Sequence, residues 1–511
     1  MGASLVKLAG VLRMIGWLSP SAVGRLAGSI RSYGVNLLAL LHLSANMHGD
    51  NAALADERET VTYRELFERA EALSAALREA YGLSPGRKAG LLCRNHVPCV
   101  TILAAVSGTG ADLVLLNPEL GDGQLEDMLG KHGFDLLIAD RDGFPQAAVS
   151  SCSGVLWSDD AARLAEGRSG DGTRSGRKRR RTSSGRLVML TGGTTGDAKT
   201  AAHKPSLFRY LDGFADFVSR LNVLNHANAY VATPLYHGYG LAVLLLFLAV
   251  GKMVVLRRRF DAEEACRLIR GHRIEVVTVV PLMLHRMLAA DPEALQSLRC
   301  IASGGAELSP KLAMKTKCRL GDVLYNLYGT SETGLNMIAG PRELSRAPGT
   351  IGTPVRGVKV KIVDGGGKEA AVGQTGHLLV RSKGAGASGV NAWLTTGDLA
   401  WRDESGLYYL SGRADDMIIS GGENVYPRDV ERVILEHPAV VDAAVIGVPD
   451  EQYGERLKAF VQPEADAAMT PAELADWLHP RLARFQMPRE FVFVDRLPYT
   501  TLGKLDRKAL S

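Results

Sequence analysis

Helix-patterned and strand-patterned stretches alternate along most of this chain, and that alternation limits the folds open to it. Two amphipathic helices are legible early: YRELFERAEALSAALREA from Tyr63, opened by Thr62 as N-cap, and the segment around VTILAAVSG. Short apolar runs then recur as GLLC, DLVLLN, DLLIAD, NAYVATP, KMVVLRR, IEVVTVVP, SLRCIASG and DVLYNLYG. Runs of this length separated by helices predict stacked α/β units with largely parallel sheets. From about Thr350 the texture changes to short strands and turns, GVKVKIVDGGGKEA, GHLLVRSK and GLYYLSGR, which predicts a small β subdomain. After Arg413 a last unit has its own alternation. VYPRDVERVILEHP and TPAELADWLHPRLA read as helices, and VDAAVIGVPD, KAFVQ and EFVFVD as strands. A boundary near Ala414 and Asp415 follows. It gives an α/β chain with a large N-terminal domain over 1–414 and a small α+β domain over 415–511.

Composition removes several function classes. The chain has 511 residues, enough for roughly two to four domains. Its net charge of +5, from 60 basic and 55 acidic residues, does not argue for a nucleic-acid partner. Much of the surplus sits in RKRRR, Arg177 to Arg181, inside a stretch over 141–186 rich in small and basic residues. No aromatic residue interleaves with those charges, so the stretch reads as an exposed, solvated connection. The six cysteines form no CxxC pair and no zinc spacing, which predicts free thiols in a reducing compartment. The apolar N-terminus lacks the features of a secretory signal, and Val6 breaks the myristoylation pattern. It is expected to pack on the protein's own core, with peripheral membrane contact as the alternative. The run LAVLLLFLAV from Leu241 is too short to cross a bilayer and predicts a buried helix. A cytoplasmic protein, monomeric or homodimeric, is expected.

Four motifs carry chemistry. The first is LTGGTTGDAKTA, Leu190 to Ala201, a Gly/Thr-rich loop placed after a strand. Small residues let backbone N–H groups turn toward an anion, although the spacing of Gly196 and Lys199 is not that of a Walker A loop. The second is YNLYGTSETG, where Glu332 follows Thr330 and Ser331. Hard oxygen donors suit Mg²⁺ together with a phosphate oxygen, while a helix start with a Ser cap is the plainer alternative. The third runs from Thr395 to Pro427, TTGDLAWRDESGLYYLSGRADDMIISGGENVYP. Asp398, read as lying in a tight turn, suits ribose hydroxyls, and Arg413 suits ribose or phosphate oxygens. The fourth is LPYTTLGKLDRKAL, with Lys504 after Gly503.

Taken together these motifs resemble the adenylate-forming superfamily, which includes acyl-CoA synthetases, firefly luciferase and nonribosomal-peptide adenylation domains. The likeness is nearest to bacterial fatty-acyl-CoA synthetases. It extends from TYREL at Thr62 through LLNPEL, PLYHGYG, SGGAELSP, YGTSE, GTPVRGVKV, TTGDLAWRDESG and SGRADDMIISGGENVYPRDVE to PDEQYGERLKAFV and the final GK. The resemblance implies two half-reactions. A carboxylate attacks the α-phosphate of ATP to give an acyl-adenylate and pyrophosphate, and a thiol, usually that of coenzyme A, then expels AMP.

It also implies roles residue by residue. Thr191, Gly193, Thr194, Thr195 and Gly196, with Lys199, would cradle the phosphates. Glu332 would hold Mg²⁺ and Ser331 the α-phosphate. Gly304, Gly305 and Ala306, with Tyr328 and Gly329, would frame the adenine. Asp398 and Arg413 would hold ribose and phosphate, and Lys504 would bridge the carboxylate and the α-phosphate. His237 would flank the carboxylate and the thiol entry. The C-terminal domain would swing about a hinge at Asp415, bringing Gly421 and Gly422 to line a pantetheine tunnel.

The phosphate loop departs from the family's Thr-Ser-Gly-Thr-Thr-Gly-x-Pro-Lys-Gly. Gly192 stands for the serine, Ala198 for the proline and Thr200 for the last glycine, where a threonine restricts a backbone position that glycine leaves free. These changes suggest a weakened or lost adenylation step, with a separate adenylating enzyme supplying the acyl-adenylate. A fully active ligase acting on an amine or a carrier protein, and a non-catalytic adenylate or acyl-CoA binder, are the competing readings. The acid itself is not legible.

Overall fold

The computed structural model describes residues 19–120, 122–142, 144, 154–169, 182, 185–191, 199–203, 211–330, 333–382, 392–420, 423–450, 454–464, 467, 469–500 and 504–510. The chain divides into two compact units. One comprises residues 1–279, 286–302 and 383–390; the other comprises residues 280–285, 303–382 and 391–511.

The first unit is the stacked α/β body that the alternation predicts. One sheet has the order β6-β5-β3-β4-β7-β8. It is built from β3 (Lys88–Leu92), β4 (Asp112–Leu115), β5 (Leu136–Ala139), β6 (Val155–Trp157), β7 (Leu187–Thr191) and β8 (Lys199–His203). All its pairs are parallel except β7 with β8. A second run of strands joins β1 (Ala52–Ala55), β2 (Thr60–Thr62), β9 (Asn228–Val231), β10 (Met253–Val255) and β11 (Val276–Val279). There β11, β9, β10 and β1 are successively parallel, and β2 closes the edge antiparallel. Strands buried on both faces explain the continuous apolar runs. β12 (Cys300–Gly304) starts in this unit and ends in the other.

The helices follow from local chemistry. Tyr63–Tyr81 starts at a complete capping box: Thr62 accepts from the Glu65 N–H, and Glu65 accepts from the Thr62 N–H at 2.8 Å. It stops at Gly82, whose φ of +64° is a left-handed cap. Leu241 and the apolar residues after it lie in a buried helix, Gly238–Ala249. No helix among the described residues is long and apolar enough to cross a membrane.

The stretch read as a connection over 141–186 is partly ordered, which corrects that expectation. Val155, Leu156 and Trp157 form β6 beside β5, and Ser158–Ser169 is a helix. Three successive apolar residues were enough to add an edge strand. The RKRRR run lies outside the described residues.

Five cysteines among the described residues are free: Cys93, Cys99, Cys266 and Cys300 are buried, and Cys318 is exposed. Cys93, His96 and Asp140 bring potential ligand atoms within 4.8 Å of one another. Cys93 Sγ donates to the Ile138 carbonyl at 3.9 Å, and the other two groups are already committed. His96 Nδ1 accepts from the Cys99 N–H at 3.1 Å, so Nε2 carries the proton and donates to Asp140 at 2.8 Å. Asp140 also accepts from Ser158 Oγ at 2.6 Å and from the Arg94 N–H at 2.9 Å. The cluster is a satisfied structural network that pins β3 to β5.

The second unit contains the predicted β subdomain and the C-terminal alternation. β13 (Leu324–Thr330), β14 (Gly334–Ala339) and β15 (Thr353–Pro354) are antiparallel neighbours. β16 (Val358–Val363), β17 (Gly376–Ser382), β18 (Leu394–Arg402) and β19 (Tyr408–Arg413) form an antiparallel meander. Its inner face packs Ile362, Leu378, Ala400 and Tyr408 against Tyr328, Met337 and Ile351. The last sheet holds β20 (Ile418–Ser420), β21 (Glu423–Val425), β22 (Val440–Asp450), β23 (Gly454–Pro463) and β24 (Glu490–Phe493), with order β21-β20-β23-β22 and β24 beside β23. Helices Pro427–Leu435 and Pro471–Leu478 cover it through Val430, Ile434, Leu474 and Leu478. The helix read over VYPRDVERVILEHP and the strands read over VDAAVIGVPD and EFVFVD lie within a few residues of expectation; the helix read over TPAELADWLHPRLA stops early, at Leu478, and β18, β20 and β21 are not among the strands read from the sequence.

Candidate active site

In the second unit the structure gathers four sequence-predicted residues. β13 carries Tyr328, buried, and its O–H donates to Asp398 Oδ2 at 2.5 Å. Asp398 and Arg413 are register partners across β18 and β19. Arg413 Nη1 reaches Asp398 Oδ1 at 3.4 Å and the Thr396 carbonyl at 3.3 Å. The rest of the guanidinium forks onto Asp415, Nε to Oδ1 at 2.9 Å and Nη2 to Oδ2 at 3.2 Å. The bidentate bond to Asp415, helped by the Asp398 charge, holds the Arg413 pKa above its usual value against the pull of burial. Burial, then the neighbouring Asp398 charge and hydrogen bond, push the Tyr328 phenol far up, so it is a donor at every ordinary pH.

Backbone chemistry shapes this cluster. Asp398 lies within a strand, not in the tight turn read from TTGD; the turn-like glycine belongs one residue earlier. Gly397 has φ +78°, and a Cβ there would come within 2.8 Å of Arg413 Nη2. Only glycine gives Arg413 that close approach. The Thr396 hydroxyl accepts from the Asp398 N–H at 3.1 Å and donates to the Leu378 carbonyl at 3.0 Å. Gly329 is equally constrained: a Cβ would lie 2.4 Å from the Gly334 carbonyl oxygen.

The YGTSETG segment is a hairpin, not the capped helix start weighed as its alternative. Thr330 pairs with Gly334 across β13 and β14. The Thr330 hydroxyl bonds the Thr333 hydroxyl at 2.8 Å, and Asn336 donates to Thr333 at 2.7 Å. Ser331 and Glu332 lie outside the described residues. Gly304 ends β12 buried; Gly305 follows with φ +82°, and Ala306 is half-buried.

Sequence reasoning missed Glu307, the next residue. It receives Arg428 Nη1 at 2.5 Å, while the stem of Arg428 lies over Gly412, where a Cβ would be 3.7 Å from Arg428 Cδ. Four residues after Glu307, Lys311 donates to the Val440 carbonyl at 2.7 Å. Long side chains from separate motifs meet here, and no spacing rule links them. Lys504 is exposed, held in a turn by its own N–H to Thr500 Oγ1 at 3.2 Å. Gly421 and Gly422 lie outside the described residues.

In the first unit the LTGGTTGDAKTA segment is the connection between two antiparallel strands. Thr191 and Lys199 are register partners at its base, and Gly193, Thr194, Thr195 and Gly196, with Gly192 and Ala198, lie outside the described residues. Thr200 sits within β8 opposite Leu190. The expectation that a threonine at 200 costs backbone freedom is corrected here. Its backbone is extended, where a β-branched residue is favoured.

His237 precedes the Gly238–Ala249 helix as its N-cap, half-buried beside the Tyr236 ring at 4.5 Å. Its turn is set by two residues. Gly240 is required because a Cβ would meet the Pro234 carbonyl oxygen at 2.5 Å. Buried Asn95 donates to the Thr233 carbonyl at 3.0 Å and accepts from the Leu235 N–H at 2.8 Å. A Cβ on Gly238 would come 3.3 Å from the Met189 sulfur, so β7 lies against the His237 turn.

Comparison with known proteins meets these features from outside. The model of the AMP-binding enzyme family matches residues 41–388, and the AMP-binding enzyme C-terminal domain matches residues 429–504. The 2-succinylbenzoate–CoA ligase of Bacillus licheniformis is 30% identical over 91% of this chain and 98% of its own. That of Geobacillus kaustophilus is 32% identical over 90% and 94%. Among solved structures, the o-succinylbenzoate CoA synthetase of Bacillus subtilis, in complex with its acyl-adenylate intermediate, superposes with a TM-score of 0.80. It is 27% identical, over 92% of this chain and 97% of that one.

Proposed function

The chain belongs to the AMP-binding enzyme family, the adenylate-forming superfamily of AMP-forming acid–thiol ligases, and from that premise we propose that it makes an acyl-CoA thioester from a carboxylic acid, ATP and coenzyme A. A carboxylate oxygen attacks the α-phosphorus, the bond to the β-phosphate oxygen breaks, and pyrophosphate leaves. The CoA thiol then attacks the acyl carbon, loses its proton, and AMP departs with the oxygen that joined the two. The first step asks for charge neutralisation and in-line placement more than for acid–base work.

The observation that carries the reading is the Tyr328–Asp398–Arg413 cluster. Asp398 offers carboxylate oxygens to ribose hydroxyls, and Tyr328 and Arg413 fix its orientation. Lys504, carried on the C-terminal domain that we place after Ala414, would neutralise charge between the carboxylate and the α-phosphate. Glu332 would hold Mg²⁺ and Ser331 the α-phosphate. Lys199 and the loop after Thr191 would hold the outgoing phosphates, and His237 would flank the acyl carbonyl. Asp415, now bound by Arg413, would serve as the hinge that brings Gly421 and Gly422 to the thiol.

The relatives make 2-succinylbenzoate the first acid to try, followed by aryl and fatty acids. Thioester formation measured by mass spectrometry across that panel tests the proposal. Activity with one acid, lowered at least 100-fold by Asp398→Ala, supports it. No thioester from any acid, or turnover indifferent to Asp398→Ala, refutes it. Replacing CoA by an amine or a carrier-protein phosphopantetheine in the same assay assigns the acceptor.

A second reading rests on Gly192 and Ala198, which remove a hydroxyl donor and a rigid proline from the phosphate loop. In it adenylation is weakened and a preformed acyl-adenylate from another enzyme is the substrate. The placement of Thr200 in a strand takes away one of its supports. Pyrophosphate exchange separates the two readings: robust exchange with the cognate acid ends the second, while failed exchange beside efficient thiolysis of a synthetic adenylate favours it.

A further inference from the structure

The C-terminal motif LPYTTLGKLDRKAL brackets Lys504 with two polar side chains that the mechanism above leaves unused, Tyr499 before it and Arg507 after it. Both reach the same strand. The Tyr499 O–H donates to Asp442 Oδ2 at 2.5 Å, and Asp442 lies near the start of β22. Arg507 Nη2 meets Glu431 Oε1 at 2.8 Å, and its Nη1 donates to the Val445 carbonyl, three residues further along β22. Glu431 Oε1 also accepts from the Val445 N–H at 2.7 Å, closing a ring of Glu431, Arg507 and Val445.

Glu431 is buried, and an ionised carboxylate there needs Arg507 beside it. Backbone bonds complete the turn. Tyr499 and Leu505 form a bridge, the Thr500 N–H donates to the Lys504 carbonyl at 2.8 Å, and the Asp506 N–H donates to the Pro498 carbonyl at 2.9 Å. Leu505 and Tyr499 pack beside Ala444, Ile446 and Phe460.

We infer that Arg507 and Tyr499 are positioning residues for Lys504, locking its turn to β22 so that the ammonium moves with the C-terminal sheet as one body. The inference rests on the reading of Lys504 as the adenylation lysine. A long, exposed side chain is useful in an in-line transfer only if its backbone is fixed. Misplacement by about 1 Å costs on the order of 100-fold in such a step. Thiolysis does not use Lys504, so the two half-reactions separate a positioning role from a merely structural one.

The test compares Arg507→Gln, Arg507→Lys, Tyr499→Phe and Lys504→Ala. It uses the acid selected by the panel above, pyrophosphate exchange for the first step, and the synthetic adenylate of that acid with CoA for the second. Arg507→Gln is expected to lower exchange about 10- to 100-fold while thiolysis stays within twofold of the parent. Tyr499→Phe should act in the same direction and more weakly, and Arg507→Lys should restore part of the loss. Hydrogen exchange at residues 504–507 should rise in Arg507→Gln, a reading that needs no acid.

If Lys504→Ala abolishes exchange and Arg507→Gln does not change it, the positioning inference is overturned and the lysine reading stands. If Lys504→Ala leaves exchange intact, the lysine reading itself fails and takes the inference with it. Equal loss of both half-reactions in Arg507→Gln, or unchanged hydrogen exchange at the turn, also overturns the inference.

Discussion

Tyr328 shows how a single hydroxyl fixes the orientation of a carboxylate. Its ring belongs to the core under the meander, while its O–H ends on Asp398 Oδ2, leaving the other oxygen facing Arg413. Removing the hydroxyl leaves the fold but frees the carboxylate to rotate. Tyr328→Phe is therefore expected to raise the KM for ATP about 5- to 100-fold, equivalent to about 1–3 kcal/mol, with a thermal midpoint close to the parent's. Steady-state kinetics with ATP varied checks it, and an unchanged KM would place Tyr328 in the core alone. Asp140 offers a contrasting case, a carboxylate that serves the fold. Burial pushes its pKa up, yet the His96 bond, Ser158 and the Arg94 N–H hold it well below the usual carboxylate range. A depressed pKa means stability that is present above pH ~4 and is lost as the pH falls below the unfolded value. Asp140→Asn should cost about 1–3 kcal/mol at neutral pH and flatten the acid limb of an unfolding titration. An acid limb identical to the parent's would contradict this.

At the scale of elements, what was legible depended on how local the signal is. The Thr62 capping box, the apolar run from Leu241 and the strands from GLLC to DVLYNLYG depend on near neighbours in sequence, and each appears where expected. TTGD reads as a tight turn at Asp398, whereas Gly397 alone takes the turn-like conformation and Asp398 continues the strand. YGTSETG is ambiguous for the same reason in reverse. Ser and Glu spaced as a cap are ambiguous until Thr330 is seen to pair with Gly334. The bonds from Glu307 to Arg428 and from Lys311 to Val440 were illegible, since they join positions 121 and 129 residues apart. They fasten the start of the Pro310–Leu320 helix to the C-terminal sheet and its first helix. Because the Glu307–Arg428 pair is half-exposed, a double-mutant cycle with Glu307→Gln and Arg428→Gln should give a coupling below about 1 kcal/mol in unfolding. A coupling above about 3 kcal/mol would mean a desolvated pair and contradict that description.

For the whole molecule, family and fold agree with the ordered motifs, while the chemistry divides between groups the sequence names and the supports that hold them. Asp398, Arg413, Asp415 and the final Lys504, to which we assign ribose binding, the hinge and charge neutralisation, are all named by motif. Their supports, Thr396, Tyr328 through its hydroxyl, Arg507 and Glu431, emerge only from the folded chain. The chemistry of this family joins an acid to a thiol through an acyl-adenylate. Turnover of an acid labelled with ¹⁸O in its carboxylate, in the presence of ATP and CoA, tests it most directly. One labelled oxygen is expected in the phosphate of the AMP released for each thioester formed. Label recovered in orthophosphate beside ADP, or AMP released without label, would contradict it.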